Sequence, residues 1–441
     1  MNSRLADLDC LSARTQKIRG PVGIHCVWLY DRAVYLAGLH DFHEALRRGP
    51  LSRTIVPAAF GPAGDRWTAV GRFADLVVEP DQVKRAELQE WIAERACAEL
   101  SVYGGPAWRL TAAALDNDTA VVSLLVSHSL ADGLGTYLAV AAAVHGLHLA
   151  PTYDSDGYSR LRLFADEVHS AVRRTIRAAK ALPRALTATN ERRNVLSAGV
   201  VATGLPTWSE RPRIPVVGAT VPAAEWKAAA DERGGSSSTL AVAISAGIAT
   251  ALGRTDEQGK AGVSIAVNTR TADDFRANAL TEIHLDVDVQ DGPLADLLPL
   301  RRRMKEMLTD PSWKRSAEAG ITVAAVLPRS LLPTLVRSVF AADYLSTGCS
   351  LPGAMDDAVL RIDGAPATEV LVYHTTYQRL ESEEELCERG GVLTVAAVEI
   401  AGKIRLSIRG WHPTTRADDT DLAHVVSDVF RGYGLEPHIV R

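Results

Sequence analysis

Residues 121–135, VVSLLVSHSLADGLG, constrain this chain more than any other stretch. Val121 to Val126 is apolar on both faces, the pattern of a central strand covered above and below. From Leu134 to about Leu147 the chain reads as a helix, so the two elements are joined only by Ser127, His128 and a short loop ending in Asp132-Gly133. A histidine closing a buried strand is well placed for a general base, because its ring can sit partly desolvated at the floor of a cleft on a rigid element. Asp132, four residues on, can orient that ring or brace the loop elsewhere, and Gly133 permits the tight turn into the helix. Most of the 12 histidines of such a chain are surface or satisfied core residues, and HxxxD alone is a weak pattern. The strand before it and the glycine-led helix after it are what raise it.

The rest of the composition narrows the class. At 441 residues the chain is long enough for two or three domains. Its 47% hydrophobic and 23% charged residues are those of a globular protein, not of a disordered or fibrous one. With 48 basic against 53 acidic residues it has no global field for nucleic acid or an anionic membrane, although a local basic patch stays open. Five cysteines, at 10, 26, 97, 349 and 387, form no CxxC pair, so neither a disulfide framework nor a zinc site is expected. The start lacks a signal-peptide core, and the apolar run Tyr137 to Val144 is far below the roughly 18 residues of a membrane span. The expectation is a monomeric cytoplasmic protein with no transmembrane segment, metal or nucleic-acid partner.

Element types alternate along the chain. Val22–Tyr30, Trp108–Leu115 and Thr119–Ser127 read as strands, and Tyr35–Arg47 and Asp81–Leu100 as helices. In the second half, Leu240–Leu252 reads as a buried helix capped by the Ser-Thr cluster before it, Val263–Val267 as a short strand and Leu294–Leu308 as a helix. Val392–Glu399 and Ile404–Arg409 suggest a hairpin, and Asp418-Asp419 opens a last helix. Residues 158–193 carry nine basic against three acidic side chains, on a helix that Pro183 is expected to end. That stretch reads most simply as a solvated face, with CoA phosphates or an acidic carrier protein as rival partners. The Gly/Pro/Ser/Thr-rich stretch after it suggests a division into 1–196, a linker at 197–215 and 216–441. The class is α/β.

Other catalytic signatures are missing. There is no GxSxG elbow, Gly253–Ala261 fails as a phosphate loop, and Gly133-Leu-Gly135 lacks its third glycine. What is present resembles the HHxxxDG motif of the CoA-dependent acyltransferase superfamily, which includes chloramphenicol acetyltransferase, plant HxxxD acyltransferases, nonribosomal peptide condensation domains and wax ester synthases. Pro106-Ala-Trp108-Arg109 is similar to the PLW element of the wax ester synthase type, Ala266-Val-Asn-Thr-Arg270 to the PVxxR strand, and Ala277-Asn278-Ala279 to the later GN element. Residues 344–364 resemble the segment that closes the tunnel. The resemblance implies two chloramphenicol acetyltransferase-like subdomains in a V-shaped pseudo-dimer around a central tunnel. It departs from the motif at Ser127, where the first histidine of the pair would stand.

The implied chemistry is transfer of an acyl group from acyl-CoA, or from the phosphopantetheine of an acyl or peptidyl carrier protein, to a hydroxyl or amine acceptor. CoA is then a co-substrate, and no cofactor is bound permanently. His128 is the general base. Asp132 either orients its ring or, as the resemblance implies and as a buried carboxylate requires, pairs with a cation, Arg270. Gly133, Asn278, Ser346 and Thr347 are the candidates for binding substrate or the oxyanion, and plain loop roles are the alternative. Trp108 reads as core, His374 in VLVYHTTY as the rival histidine, and Cys349 and Cys387 as remote nucleophile candidates. A non-catalytic module that binds an acyl carrier or acyl-CoA and recruits a partner is the second functional class, with Ser127 as its hint.

Overall fold

The apolar segments place two sheets at the centre of the chain, and a computed structural model describes residues 3–69, 73–153, 159–193, 213–271, 274–328, 330–332, 346–375, 383–388, 390–413 and 418–441. The first sheet has five strands in the order β11-β1-β6-β5-β4, formed by β1 (Gly23–Tyr30), β4 (Val77–Val78), β5 (Trp108–Ala114), β6 (Ala120–Ser127) and β11 (Glu369–His374). Every residue of β1 and of β6 is buried, as their two-faced apolar pattern predicts. A separate hairpin pairs β2 (Arg53–Val56) with β3 (Arg66–Ala69). The second sheet has seven strands in the order β14-β7-β13-β12-β10-β8-β9: β7 (Val216–Pro222), β8 (Ala261–Asn268), β9 (Leu280–Val287), β10 (Thr347–Ala354), β12 (Val392–Ile400), β13 (Lys403–Trp411) and β14 (His438–Val440). The β12–β13 hairpin closes on Ala401 and Gly402, both at positive φ, the two-residue turn whose twist suits antiparallel strands.

Helices cover the sheets. Among the described residues they are α1 (Asp7–Arg19), α2 (Leu36–Arg47), α3 (Leu88–Ala96), α4 (Gly133–Val144), α5 (Arg160–Arg193), α6 (Ala223–Asp231), α7 (Ser237–Ala251), α8 (Leu298–Thr309) and α9 (Pro311–Ala324), followed by Glu383–Glu388 and Asp419–Gly432. Side chains of α2 and α4 join Trp28, Trp108, Val122 and Leu124 in one core, while α7 lies buried on the second sheet with Val263, Val395 and Ile408. The two sheets meet through the other face of the first, where Val27, Leu371 and Tyr373 pack with Val216 and Val440. Gly218 allows that approach, since a Cβ there would lie 2.5 Å from Leu371 Cδ2.

Several boundaries differ from the sequence reading. Helix α3 starts at Leu88, not Asp81, because Val83 is held beside Leu115 as an extension of the sheet edge and only one 3-10 turn, Arg85–Glu87, precedes the helix. Leu294–Leu308 becomes α8 at Leu298, where Asp296 accepts the Leu298 N–H. Pro183 does not end its helix. It removes one N–H, but Ala178 and Ala185 are buried on either side of it and hold α5 as one rod. The expected linker falls mostly on residues 194–212, outside the described residues. The division at 216 is also not clean, because β11 from the second half forms an edge of the first sheet.

Candidate active site

Strand β6 ends at Ser127, and the next residue is fixed at once: the His128 N–H donates to Val22 O at 2.8 Å. Ser127 is fully buried, and its Oγ accepts from Gln16 Nε2 of α1 at 2.5 Å and from the Ser129 N–H at 3.3 Å. The hydroxyl in place of the first motif histidine therefore ties the loop to the N-terminal helix.

Asp132 is the N-cap of α4 and is almost fully buried. One carboxylate oxygen accepts the Gly135 N–H at 2.7 Å, and the other accepts Arg270 Nη2 and the Ala279 N–H, both at 2.9 Å. Arg270 in turn donates to the carbonyls of Asp274, Arg276 and Ala277, and the Asp132 N–H donates to Ala277 O. Apart from the cap to Gly135, the Asp132 carboxylate thus engages the second half of the chain. Asn278 faces the same loop, its Nδ2 donating to His128 O at 3.1 Å and to Asp9 Oδ1 at 3.2 Å.

Two further residues belong to this assembly and carried no signal in the sequence. Asp9 of α1 is wholly buried and accepts the N–H groups of Ala277 and Asn278 at 2.9 and 2.7 Å. Burial pushes its carboxyl above the usual range, against the pull of the Ala277 N–H and of Arg53. Arg53 of β2 donates to Leu130 O at 2.8 Å and Phe275 O at 2.5 Å, clamping the motif loop to the 275–278 loop.

His374 ends β11. Strands β6 and β11 both pair antiparallel with β1, so they run in the same direction and finish at the same end of it. The rings of His128 and His374 therefore adjoin, with centroids 4.9 Å apart and planes tilted by 54°. Burial, reinforced by the neighbouring His128, lowers the His374 pKa to about 3, so its ring is neutral at physiological pH.

Other candidates lie elsewhere. Ser346 and Thr347 are not brought to His128. Thr347 stands opposite Val263, whereas β8 reaches the Arg270 loop only beyond Asn268, some 17 Å further at the usual rise per residue. Ser346 Oγ instead meets His284 Nδ1 at 3.4 Å. The resemblance of residues 344–364 to a tunnel-closing segment made them candidates, and strand register sets them apart from the Arg270 loop. Trp108 is a core residue between His43 and Phe73. The buried Cys349 thiol is pushed up to about 12 by desolvation, which makes it a poor nucleophile. Gly133 occupies the first turn of α4, with open space where a side chain would point. No group of three or more potential ligands could hold a metal ion among the described residues. None of their helices is long and apolar enough to cross a membrane.

No protein-family model and no curated protein matches the chain. Solved structures do. The wax ester synthase/diacylglycerol acyltransferase from Marinobacter aquaeolei VT8 superposes with a TM-score of 0.54 at 13% identity, over 98% of this chain and 100% of that one. The two chains share one fold. The first condensation domain of the CDA synthetase gives a TM-score of 0.53 at 13% identity over 98% and 96% of the two chains. The starter condensation domain of the rhizomide synthetase RzmA, crystallised with C8-CoA, gives 0.52 at 12% over 98% and 95%. A nonribosomal peptide synthetase also matches at 0.53 and 15%, and the chain spans only 42% of its length. In this shared fold, the strand–loop–helix at 121–135 brings His128 beside Asn278 and His374 of the second half.

Proposed function

We propose that the protein transfers an acyl group from a pantetheine thioester, carried by CoA or by a carrier protein, to a hydroxyl or amine acceptor. The observation that carries this reading is the placing of His128: a partly exposed imidazole on a loop whose backbone is held by Val22 and Asn278, in a fold shared with acyltransferases and condensation domains. A thioester is already activated, since its thiol leaves readily, and what the reaction lacks is a deprotonated acceptor. His128 takes the acceptor's proton as the oxygen or nitrogen attacks the carbonyl carbon. When the tetrahedral intermediate collapses, the carbon–sulfur bond breaks and the imidazolium returns the proton to the sulfur. The products are an ester or amide and a free thiol. His374 stays neutral beside the base and does not compete for that proton. The first-turn N–H of Gly133, at the positive end of α4, supplies an oxyanion donor in this scheme.

The test is release of free thiol, with product identified by mass, from a panel of acyl-CoAs and acyl carriers offered alcohols and amines. His128→Ala should fold normally and lose about two to four decades of turnover. A wild-type protein that binds acyl-CoA without releasing thiol with any acceptor would favour the non-catalytic module instead.

A further inference from the structure

Helix α5 is divided lengthwise into three faces. Glu167, Arg174, Ala178 and Ala185 are buried. They seat the helix through Glu167 on the Ala59 N–H (3.0 Å) and Arg174 on Asp7 (2.9 Å), with Ser170 on Ala63 O (2.7 Å) beside them. A second face is apolar and turned outward: Leu161 is 83% exposed, Phe164 55%, Val172 54%, Ile176 51% and Leu186 57%, with Val168 and Leu182 in the same row. Phe60 extends that row, half-exposed and edge-on to Phe164 at 5.6 Å. The third face carries Arg162, Arg173, Arg177, Lys180 and Arg184, all exposed. At about 3.6 residues per turn the basic face lies a little over a third of a turn from the apolar row, and the buried face about a third of a turn on the other side.

A solvated linker helix has no use for seven large apolar side chains in one outward line. At about 1.5 Å per residue that line runs nearly 40 Å along the helix. An acidic carrier protein would account for the cations but not for so long an apolar row. A bilayer surface accounts for both, because acyl chains receive the row while phosphate headgroups meet the cations beside it. The chain as a whole carries a net charge of −5, so the attraction is local to this helix.

We infer that α5 is a membrane-docking surface, which lays its apolar row into the interface of an anionic bilayer and sets its arginines and lysine against lipid phosphates. The inference is independent of acyl transfer and is read by binding alone. The full chain is tested by flotation with vesicles of phosphatidylcholine, and with vesicles of phosphatidylcholine mixed with phosphatidylglycerol. The expected result is flotation with the mixed vesicles that weakens as salt is raised. Two variants should each reduce binding at least about tenfold: Phe164→Glu with Val172→Glu, and Arg173→Glu with Lys180→Glu and Arg184→Glu. Melting curves and light scattering accompany each variant. A wild-type protein that stays with the unbound fraction in both vesicle types overturns the inference. So does a vesicle-free dimer that the Phe164→Glu, Val172→Glu variant splits, which would assign the row to a second copy. A large fall in melting temperature of that variant, with no vesicle binding by the wild type, would show the row covered by the chain itself and would overturn it equally.

Discussion

The imidazoles of His128 and His374 stand 4.9 Å apart although one follows a strand of the first half and the other ends a strand contributed by the second. Both are within reach of the same small volume, so position alone does not say which is the base. The depressed proton affinity of His374 argues against that ring. His374, with its pKa lowered to about 3, is neutral throughout the working range and too weak a base to draw a proton from an alcohol or amine. The acid limb of kcat/KM should therefore report one ionisation, with activity falling as pH drops and the base takes a proton. His374→Phe should keep that limb while lowering the rate far less than His128→Ala. A His374→Phe enzyme without the limb, alongside a His128→Ala enzyme that retains it, would exchange the two roles.

Asp9 is the least expected member of the site. It accepts two backbone N–H groups and the Asn278 amide, and Asn278 passes the restraint on to His128 O. Asp9→Asn replaces one acceptor oxygen with a donor facing N–H groups, a change expected to cost about 3 kcal/mol. Asn278→Ala should cost less, about 1–2 kcal/mol, because Asp9 keeps its backbone partners. Both are measured by denaturant unfolding. An Asp9→Asn protein as stable as the wild type would show that α1 does not hold this loop.

What was legible in the sequence was local. Strand β6, the turn at His128 and the cap of α4 are written within fifteen consecutive residues, and two-faced apolarity and an N-cap aspartate are short-range signals. The ion pair of Asp132 with Arg270 was within reach through the resemblance of the Ala266–Arg270 strand, combined with the need of a buried carboxylate for a cation. The ties of Asp9 to Asn278 and Gln16 to Ser127 were not, since they span 269 and 111 residues and follow from where α1 lands. Nor was the company of His374: VLVYH reads as a strand, but nothing in it says that it pairs with β1. Ser346 and Thr347 failed for another reason. They rested on the resemblance of residues 344–364 to a tunnel-closing segment, and the register of β10 on β8 sets them apart from the Arg270 loop.

Acid should unfold the protein partly through histidines held neutral. His25 is fully buried between Tyr373 Oη at 2.6 Å and Ser123 Oγ at 2.7 Å, and burial together with Arg409 lowers its pKa to about 3. In the unfolded chain it titrates near 6.5, so between about 6.5 and 3 the unfolded state binds more protons. Stability contributed by the neutral ring is present above that window and is lost as pH falls through it. His25→Gln should flatten the dependence of unfolding free energy on pH by up to one proton over this range, whatever it does to stability at neutral pH. An unchanged slope would mean that His25 is charged in the folded protein.

The last prediction concerns Asp132 and Arg270, because two mechanisms share their motif. As a brace, Asp132 joins the His128 loop to the loop after β8, and both side chains lie almost wholly out of solvent, 4% and 11% exposed. Removing either partner leaves a buried charge unsatisfied, which costs roughly 3–5 kcal/mol. Asp132→Asn and Arg270→Gln should each lower stability by an amount of this order, and the double variant should lose clearly less than their sum. Turnover should decline with the fraction of loop that remains in place. As an orienting group for the His128 ring, Asp132 would behave differently: Asp132→Asn would melt near the wild-type temperature, lose orders of magnitude in kcat and show no coupling to Arg270. The contacts of its carboxylate favour the brace, since Gly135, Ala279 and Arg270 together engage both of its oxygens. A double-mutant cycle in unfolding free energy, run beside kcat on the same four proteins, separates the two, and a coupling energy near zero would remove the brace.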